Sequence, residues 1–361
     1  MTATAPTVLS LYSGAGGLDC GFRDAGFEIV AAVESDRWAV ETYRANLGAH
    51  VVHGELPGVV PLGASGVDVI IGGPPCQGFS VIGKMDPEDP RSTHVHAFMD
   101  LVARFSPRAF VLENVKALAV SDRWSAVRED LRRTARALGY QVELFLLNAA
   151  DFGVPQTRER MFLVGTRGMA PLCPLPTSKG SPPSVREALR GLPAFGEPGN
   201  DALCAARVIP ASRPVMRPRA HHGSLLFNGS GRPLDLGGPA KTLPASMGGN
   251  ATPIIDQEEL AHGAEPWVRG YHARLLAGED PIDVAPDRLR RLTVQEAAAL
   301  QTFDPSWQFR GPQVAQFRQI GNAVPPRLAK AVALSVRASL AWLDRVSEGL
   351  PLEAERVLAR A

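Results

Sequence analysis

Between Thr7 and about Thr166 short apolar runs alternate with amphipathic stretches, and this alternation constrains the fold more than any other property of the chain. Residues 8–12, 29–34, 67–71, 109–113, 142–148 and 161–165 read as strands. Residues 38–46 and 124–138 carry helical spacing between them. A chain patterned this way builds an α/β fold, an open and mostly parallel sheet with helices on both faces. Ligands of such sheets bind beyond the C-terminal ends of the strands. The residues that directly follow these runs are therefore the candidates for a site.

Three of the runs end in residues with chemistry. The third leads into Gly72-Gly73-Pro74-Pro75-Cys76-Gln77-Gly78-Phe79-Ser80, where two prolines fix φ and remove two backbone donors just before a thiol. A cysteine presented at a strand end is placed for reaction, not for packing. The first run leads into Leu11-Tyr12-Ser13-Gly14-Ala15-Gly16-Gly17-Leu18, a turn whose glycines let a ligand approach the backbone. The second ends at Glu34, about 20 residues on, where an acid can accept hydrogen bonds from ribose hydroxyls. The pair suits an adenosyl cofactor. The loop lacks the Gly-Lys-Ser/Thr ending that grips phosphates, so S-adenosylmethionine is as plausible as a dinucleotide.

Two further segments belong to the same set. Glu113-Asn114-Val115 puts a carboxylate at the end of the fourth run. In Gln156-Thr157-Arg158-Glu159-Arg160, an extended backbone would point Arg158 and Arg160 the same way, toward one oxygen-rich ligand.

The texture changes after residue 166. Proline and glycine become frequent and periodicity weakens, which predicts a second, loop-rich domain over 167–290. Leu225-Leu226-Phe227 and Pro253-Ile254-Ile255 can seed a small core there. Helical patterning resumes from Leu292, so 291–345 is expected to return to the first domain, 1–166, with 346–361 as a tail. Pro326 opens a last helix with Leu328, Val332, Val336, Leu340 and Leu343 at helical spacing. Net charge is only +1, so bulk charge advertises no polyanionic partner. Locally it does. Between residues 203 and 241 lie Arg207, Arg213, Arg217, Arg219, Arg232 and Lys241 against the single acid Asp235. Between 256 and 287 eight acids face Arg269 and Arg274. The basic stretch is the candidate phosphate-contacting face.

Some function classes are excluded. Cys20, Cys76, Cys173 and Cys204 form no CxxC pair, and His221-His222 has no third ligand at suitable spacing, so no metal site is expected. No apolar run approaches a membrane span, and the first residues lack a signal sequence. A cytoplasmic protein with reduced thiols is the expectation.

Taken in order, these segments resemble the bacterial DNA cytosine-5 methyltransferase family, the Dcm type, with a Rossmann-like S-adenosylmethionine-dependent sheet and a smaller target-recognition domain. The Gly loop is similar to the family's first motif and residues 72–80 to its nucleophile motif. Glu113-Asn114-Val115 and residues 156–160 resemble two further catalytic motifs. Residues 292–303 and Gln319-Ile320-Gly321-Asn322-Ala323-Val324-Pro325-Pro326 resemble its last two. The resemblance implies Cys76, Glu113, Arg158 and Arg160 as catalytic residues. It implies S-adenosyl-L-methionine held by Tyr12, Ser13, Gly14, Gly16, Gly17, Leu18, Glu34, Glu55, Leu56, Pro74, Asn322 and Val324. It implies double-stranded DNA as partner, contacted through Gln77, Ser80, Lys84 and Arg91, with Arg217 and Arg219 added from the basic stretch; monomer is the default for base flipping at an asymmetric task, and there is room for a cognate restriction endonuclease encoded nearby. Residues 167–290 fall where the family carries target recognition.

Four positions depart from the common pattern: Tyr12 stands where phenylalanine is usual, Ser35 where a bulkier apolar residue covers the adenine, Glu55 where an aspartate is usual, and Gln295 where an arginine is common. Three rivals remain open: an RNA cytosine methyltransferase on the same scaffold, whose Cys-Phe-Thr signature is absent here, an inactive DNA-binding relative, and a nucleotide-linked oxidoreductase.

Overall fold

The structure is a computed structural model that describes residues 4–59, 66–75, 94–178, 180–217 and 221–348. Its strands in chain order are β1 (Thr7–Leu11), β2 (Glu28–Glu34), β3 (Val51–His53), β4 (Val69–Gly72), β5 (Ala109–Val115), β6 (Tyr140–Asn148), β7 (Gln156–Thr157), β8 (Glu159–Arg167), β9 (Pro210–Val215), β10 (Leu225–Phe227), β11 (Ala240–Lys241), β12 (Ile254–Asp256) and β13 (Leu289–Arg291). The chain divides into two compact units. The first comprises residues 1–152, 159–177 and 324–361, and the second 153–158 and 178–323.

In the first unit seven strands form one sheet in the order β3-β2-β1-β4-β5-β8-β6. The pairs from β3 through β5 are parallel, as the alternation of strands and helices predicts. β4 is buried along its whole length, the mark of a central parallel strand covered on both faces. The chain runs from β1 outward to β2 and β3, then crosses back to β4 on the other side of β1. That reversal leaves a crevice at the C-terminal ends of β1 and β4, where open α/β sheets bind ligands. One strand departs from the expected direction: β8 is antiparallel to both β5 and β6. It delivers its first residues, not its last, to the C-terminal edge of β5.

The helices form where their signals lie. Asp36 caps the helix Arg37–Asn46, its carboxylate accepting from the N–H groups of Trp38 and Ala39. Pro326 opens the 22-residue helix Pro326–Ser347, in which Leu328, Val332, Val336 and Leu340 are buried. β3 and β7, of three and two residues, were not predicted, because such short strands carry no periodicity to detect.

The second unit is loop-rich with two small cores. Leu226, Phe227 and Ile254 pack with Val268, Tyr271 and Leu289, so both apolar seeds of the sequence contribute. Ile255 joins a larger cluster with Leu236, Leu292, Phe317 and Ile320. The helix Val294–Leu300 starts at a capping box in which Thr293 and Glu296 satisfy each other's backbone N–H groups. Glu296 also takes a bidentate pair from Arg290, at 2.8 and 2.7 Å. Gln295, where an arginine is common, accepts from the N–H of Ala202 and donates to Asp201, fixing that loop in place of a charge.

Candidate active site

The Gly loop after β1 is held in a shape that needs glycine. Gly16 has φ +85°, and a Cβ there would lie 2.4 Å from Leu47 Cδ1. Gly14 donates its N–H to Glu34 Oε2 at 2.8 Å, and Asp36 donates to Oε1 at 2.7 Å. Glu34 therefore stitches the end of β2 to the loop after β1. Burial raises its carboxyl above the ordinary value, against the pull of those N–H donors. Oε1 also accepts from the Ser35 hydroxyl at 3.5 Å, which leaves Oε2 the freer acceptor for a ligand hydroxyl.

Beside this loop is a cleft of about 190 Å³, roughly six waters' worth, so it takes an organic group and not a lone ion. It is lined by Tyr12, Val33, Glu34, Ser35, Gly54, Glu55, Leu56, Pro75 and His94. Of these, Tyr12, Glu34, Glu55 and Leu56 are among the residues that the resemblance assigns to the cofactor, and Val33, Gly54, Pro75 and His94 are not. Ser35, small where a larger cover is common, does form part of the wall. Ser13, Gly14, Gly16, Gly17 and Leu18 lie in the adjoining loop and the first turn of the helix Gly17–Asp24. Asn322 ends the helix Gln313–Asn322 in the second unit and Val324 is buried in the first; neither lines the cleft.

Under the loop Asp19 is fully buried and accepts a 2.8 Å hydrogen bond from the Tyr43 hydroxyl, which also lies 3.1 Å from His50 Nε2. Burial pushes the Asp19 carboxyl up to about 6, against the hydroxyls of Ser10 and Tyr43. A carboxyl raised in the folded state costs stability as it ionises. The penalty is absent below about pH 3, grows as pH rises from 4 toward 6, and then stays, at roughly 3 kcal/mol. Asp19→Asn, of the same shape without the charge, is expected to raise stability at pH 7.5 by up to that amount and hardly at pH 3. Urea unfolding at both pH values measures it; an equal change at both would show that ionisation is not the cause.

At the ends of β4 and β5 lies a second group. Glu113 Oε1 is 3.1 Å from Arg160 Nε, both side chains mostly buried. The antiparallel pairing sets this contact: Arg160, at the start of β8, sits opposite Val115, and Phe162 opposite Glu113. Asn114 donates to the carbonyl of Pro74 at 3.2 Å, anchoring the Pro74-Pro75 segment to β5. Gly73 makes room for the carboxylate, since a Cβ there would lie 2.8 Å from Glu113 Oε2. Glu113, Asn114, Arg160, Gly73 and Pro74 thus form one constellation. Cys76 follows two residues after Pro74 and lies outside the described residues, as do Gln77, Ser80, Lys84, Arg91 and Arg219.

Arg158 corrects the expectation for the arginine pair. It is completely buried in the second unit, where its guanidinium donates to the carbonyls of Leu243 (3.1 Å) and Gly321 (2.7 Å). Beside it, Gln156 donates to Gln301 and accepts from the N–H of Leu243, and Gln301 donates to Ile320 O. Two guanidinium groups sharing one ligand is not what these bonds provide. Arg217 is exposed, with its N–H bonded to Ser224 Oγ and its carbonyl 3.0 Å from His272 Nε2. Among the described residues no group of three His, Cys, Asp or Glu could hold a metal, and no helix is long and apolar enough to cross a membrane.

Known proteins share both the sequence and the fold. The family model for C-5 cytosine-specific DNA methylase matches residues 7–338. Type II methyltransferase M.XorII of Xanthomonas oryzae pv. oryzae is 32% identical, the match covering 93% of this chain and 86% of that protein. Type II methyltransferase M1.HphI of Haemophilus parahaemolyticus is 33% identical, covering 91% and 86%. Among solved structures, the S. pombe Dnmt2 methyltransferase superposes with a TM-score of 0.65 at 18% identity, covering 93% of this chain and 99% of that one. The Entamoeba histolytica methyltransferase EhMeth does so with a TM-score of 0.65 at 14% identity, covering 94% and 99%. At that identity the structures speak for the fold alone. The match across 7–338 and the relatives above 30% identity place the chain in the C-5 cytosine-specific DNA methylase family, as an enzyme that methylates DNA cytosine.

Proposed function

We propose that this enzyme methylates C5 of one cytosine within a specific word of double-stranded DNA, through a covalent adduct on Cys76. The observation that carries the reading is the meeting of Glu113 and Arg160 beside Gly73 and Pro74, on the same strand-end edge of the sheet as the cleft that Glu34 and Pro75 line. The target base must leave the duplex, because C5 is out of reach of catalytic groups while stacked. Cys76 as thiolate adds to C6, which turns C5 into a nucleophile. Glu113 meets the N3 edge and supplies the proton that balances charge as the adduct forms. Arg160, 3.1 Å away, keeps that carboxyl in place and steadies the base carbonyl. S-adenosyl-L-methionine, in the Glu34 cleft, supplies the electrophilic methyl. Loss of the C5 proton and elimination of Cys76 then release 5-methylcytosine.

The donor set of the cleft fits that group. Glu34 offers lone pairs for ribose hydroxyls, Glu55 an acceptor for an adenine amino group, and no Lys or Ser/Thr phosphate grip competes. Target recognition is assigned to 167–290, with DNA phosphates on its basic stretch. The relatives' Type II names support a restriction-modification setting and a cytoplasmic, DNA-associated location. Asn322, Val324, Gln77, Ser80, Lys84 and Arg91 stay in this reading on the motif resemblance alone.

Bisulfite sequencing of unmethylated genomic DNA incubated with the enzyme and S-adenosylmethionine tests the reaction. Protected cytosines in one sequence context are expected; no protection in DNA containing every short word would reject it. Arg217→Ala, which removes an exposed cation from the basic stretch, is expected to weaken DNA binding. It should also lower the slope of log affinity against log salt by about one. An unchanged slope would put the DNA face elsewhere.

A further inference from the structure

Tyr12 and His94 meet at the wall of the cofactor cleft. The Tyr12 hydroxyl lies 3.1 Å from His94 Nδ1 and 3.5 Å from the His94 carbonyl, and the rings meet edge to face at 5.5 Å. Tyr12 reaches this place in a left-handed backbone conformation, φ 55°, that a non-glycine residue adopts only at a cost. Burial raises the phenol well above its ordinary range, so it keeps its proton and serves as a donor. The shorter of its two contacts is to Nδ1. In the tautomer whose Nδ1 accepts from Tyr12, Nε2 carries the ring N–H. His94 lines the cleft, and Nε2 is the ring nitrogen that Tyr12 leaves for a ligand.

We propose that Tyr12 and His94 act as one cofactor-positioning unit, in which the Tyr12 hydroxyl fixes the imidazole so that His94 Nε2–H donates to a hydroxyl or carboxylate oxygen of the bound cofactor. This rests on the S-adenosylmethionine reading of the cleft. It also gives the tyrosine at position 12, where phenylalanine is usual, a task that phenylalanine cannot perform.

The two positions can be separated by isosteres. Glutamine reaches the place of Nε2 and keeps a donor there, whereas asparagine reaches only the place of Nδ1. The probe is S-adenosyl-L-homocysteine, which carries the same hydroxyls and carboxylate and does not turn over; Kd is measured by calorimetry on the full chain. His94→Asn and Tyr12→Phe are each expected to weaken binding about fivefold to tenfold, the loss of one hydrogen bond. His94→Gln should stay within about threefold of wild type. Tyr12→Phe in the His94→Gln background should add nothing, since the hydroxyl acts only through the imidazole. Thermal unfolding alongside separates binding from folding, because a purely structural contact would not be rescued by Gln over Asn. Equal Kd values for wild type, His94→Asn and His94→Gln would overturn the unit while leaving the cofactor reading intact. A wild type that binds neither S-adenosyl-L-homocysteine nor S-adenosylmethionine would overturn both.

Discussion

Cys76→Ala is expected to lower methyl transfer by at least roughly 10⁴-fold, with DNA affinity within about threefold of wild type. The size follows from the chemistry. C5 of cytosine is a poor nucleophile until a thiolate adds to C6, and no group among the described residues near Pro74 can replace a thiolate. In the proposed reaction Glu113 and Arg160, 3.1 Å apart, only hold the ring and balance its charge. On the proposed reading phosphate and base contacts elsewhere hold the DNA, so binding should survive the loss. A duplex with 5-fluorocytosine at the target supplies a sharper readout, since fluorine at C5 cannot leave as a proton. The wild type should remain attached to it through denaturing electrophoresis and Cys76→Ala should not. An attached Cys76→Ala would mean that the covalent bond is made by another residue.

The second large effect concerns stability. Arg158→Ala is expected to cost about 3–5 kcal/mol, because it strips the donor from two buried carbonyls and leaves a cavity. Leu243 O and Gly321 O belong to segments otherwise joined by the Gln156–Gln301 network, so the loss falls on the fold of the second unit. Denaturant unfolding should show the drop directly. The turnover of whatever protein remains folded at low temperature should stay within about tenfold of wild type, in contrast to a residue that touches the base. A variant of wild-type stability with activity lost 10³-fold would return Arg158 to the catalytic group.

The difference between Arg158 and Arg160 shows where the sequence is legible and where it stops. The strands of the sheet declare themselves by apolar runs, and Glu34, Glu113 and the Gly loop follow as strand ends at one edge. The period-two rule that pairs residues 158 and 160 holds only within one strand. Here β7 ends at Thr157 and β8 starts at Glu159, in different sheets, and the chain passes between its two units at that point. The alternation is broken at the residue it was used to place. His94 is invisible for another reason. It stands before the apolar residues Val95, Phe98, Met99 and Val102 of its helix, and only the Tyr12 hydroxyl, 82 residues earlier, gives it meaning.

Arg160 owes its place to a strand that runs against its neighbours, and this makes the site rigid in one dimension and free in others. Its position is counted in rungs of the ladder with β5, where Val115 faces it. Adding one residue inside β8 between Arg160 and Phe162 would turn the guanidinium to the opposite face of the sheet. Adding several to a surface connection costs only the slow logarithm of loop closure. Length can thus vary in the long excursion between β8 and the final helix, where DNA words would be read, while the distance from Glu113 to Arg160 stays fixed by the ladder. On the proposed reading, new specificities can be grafted onto this chain without recalibrating its chemistry.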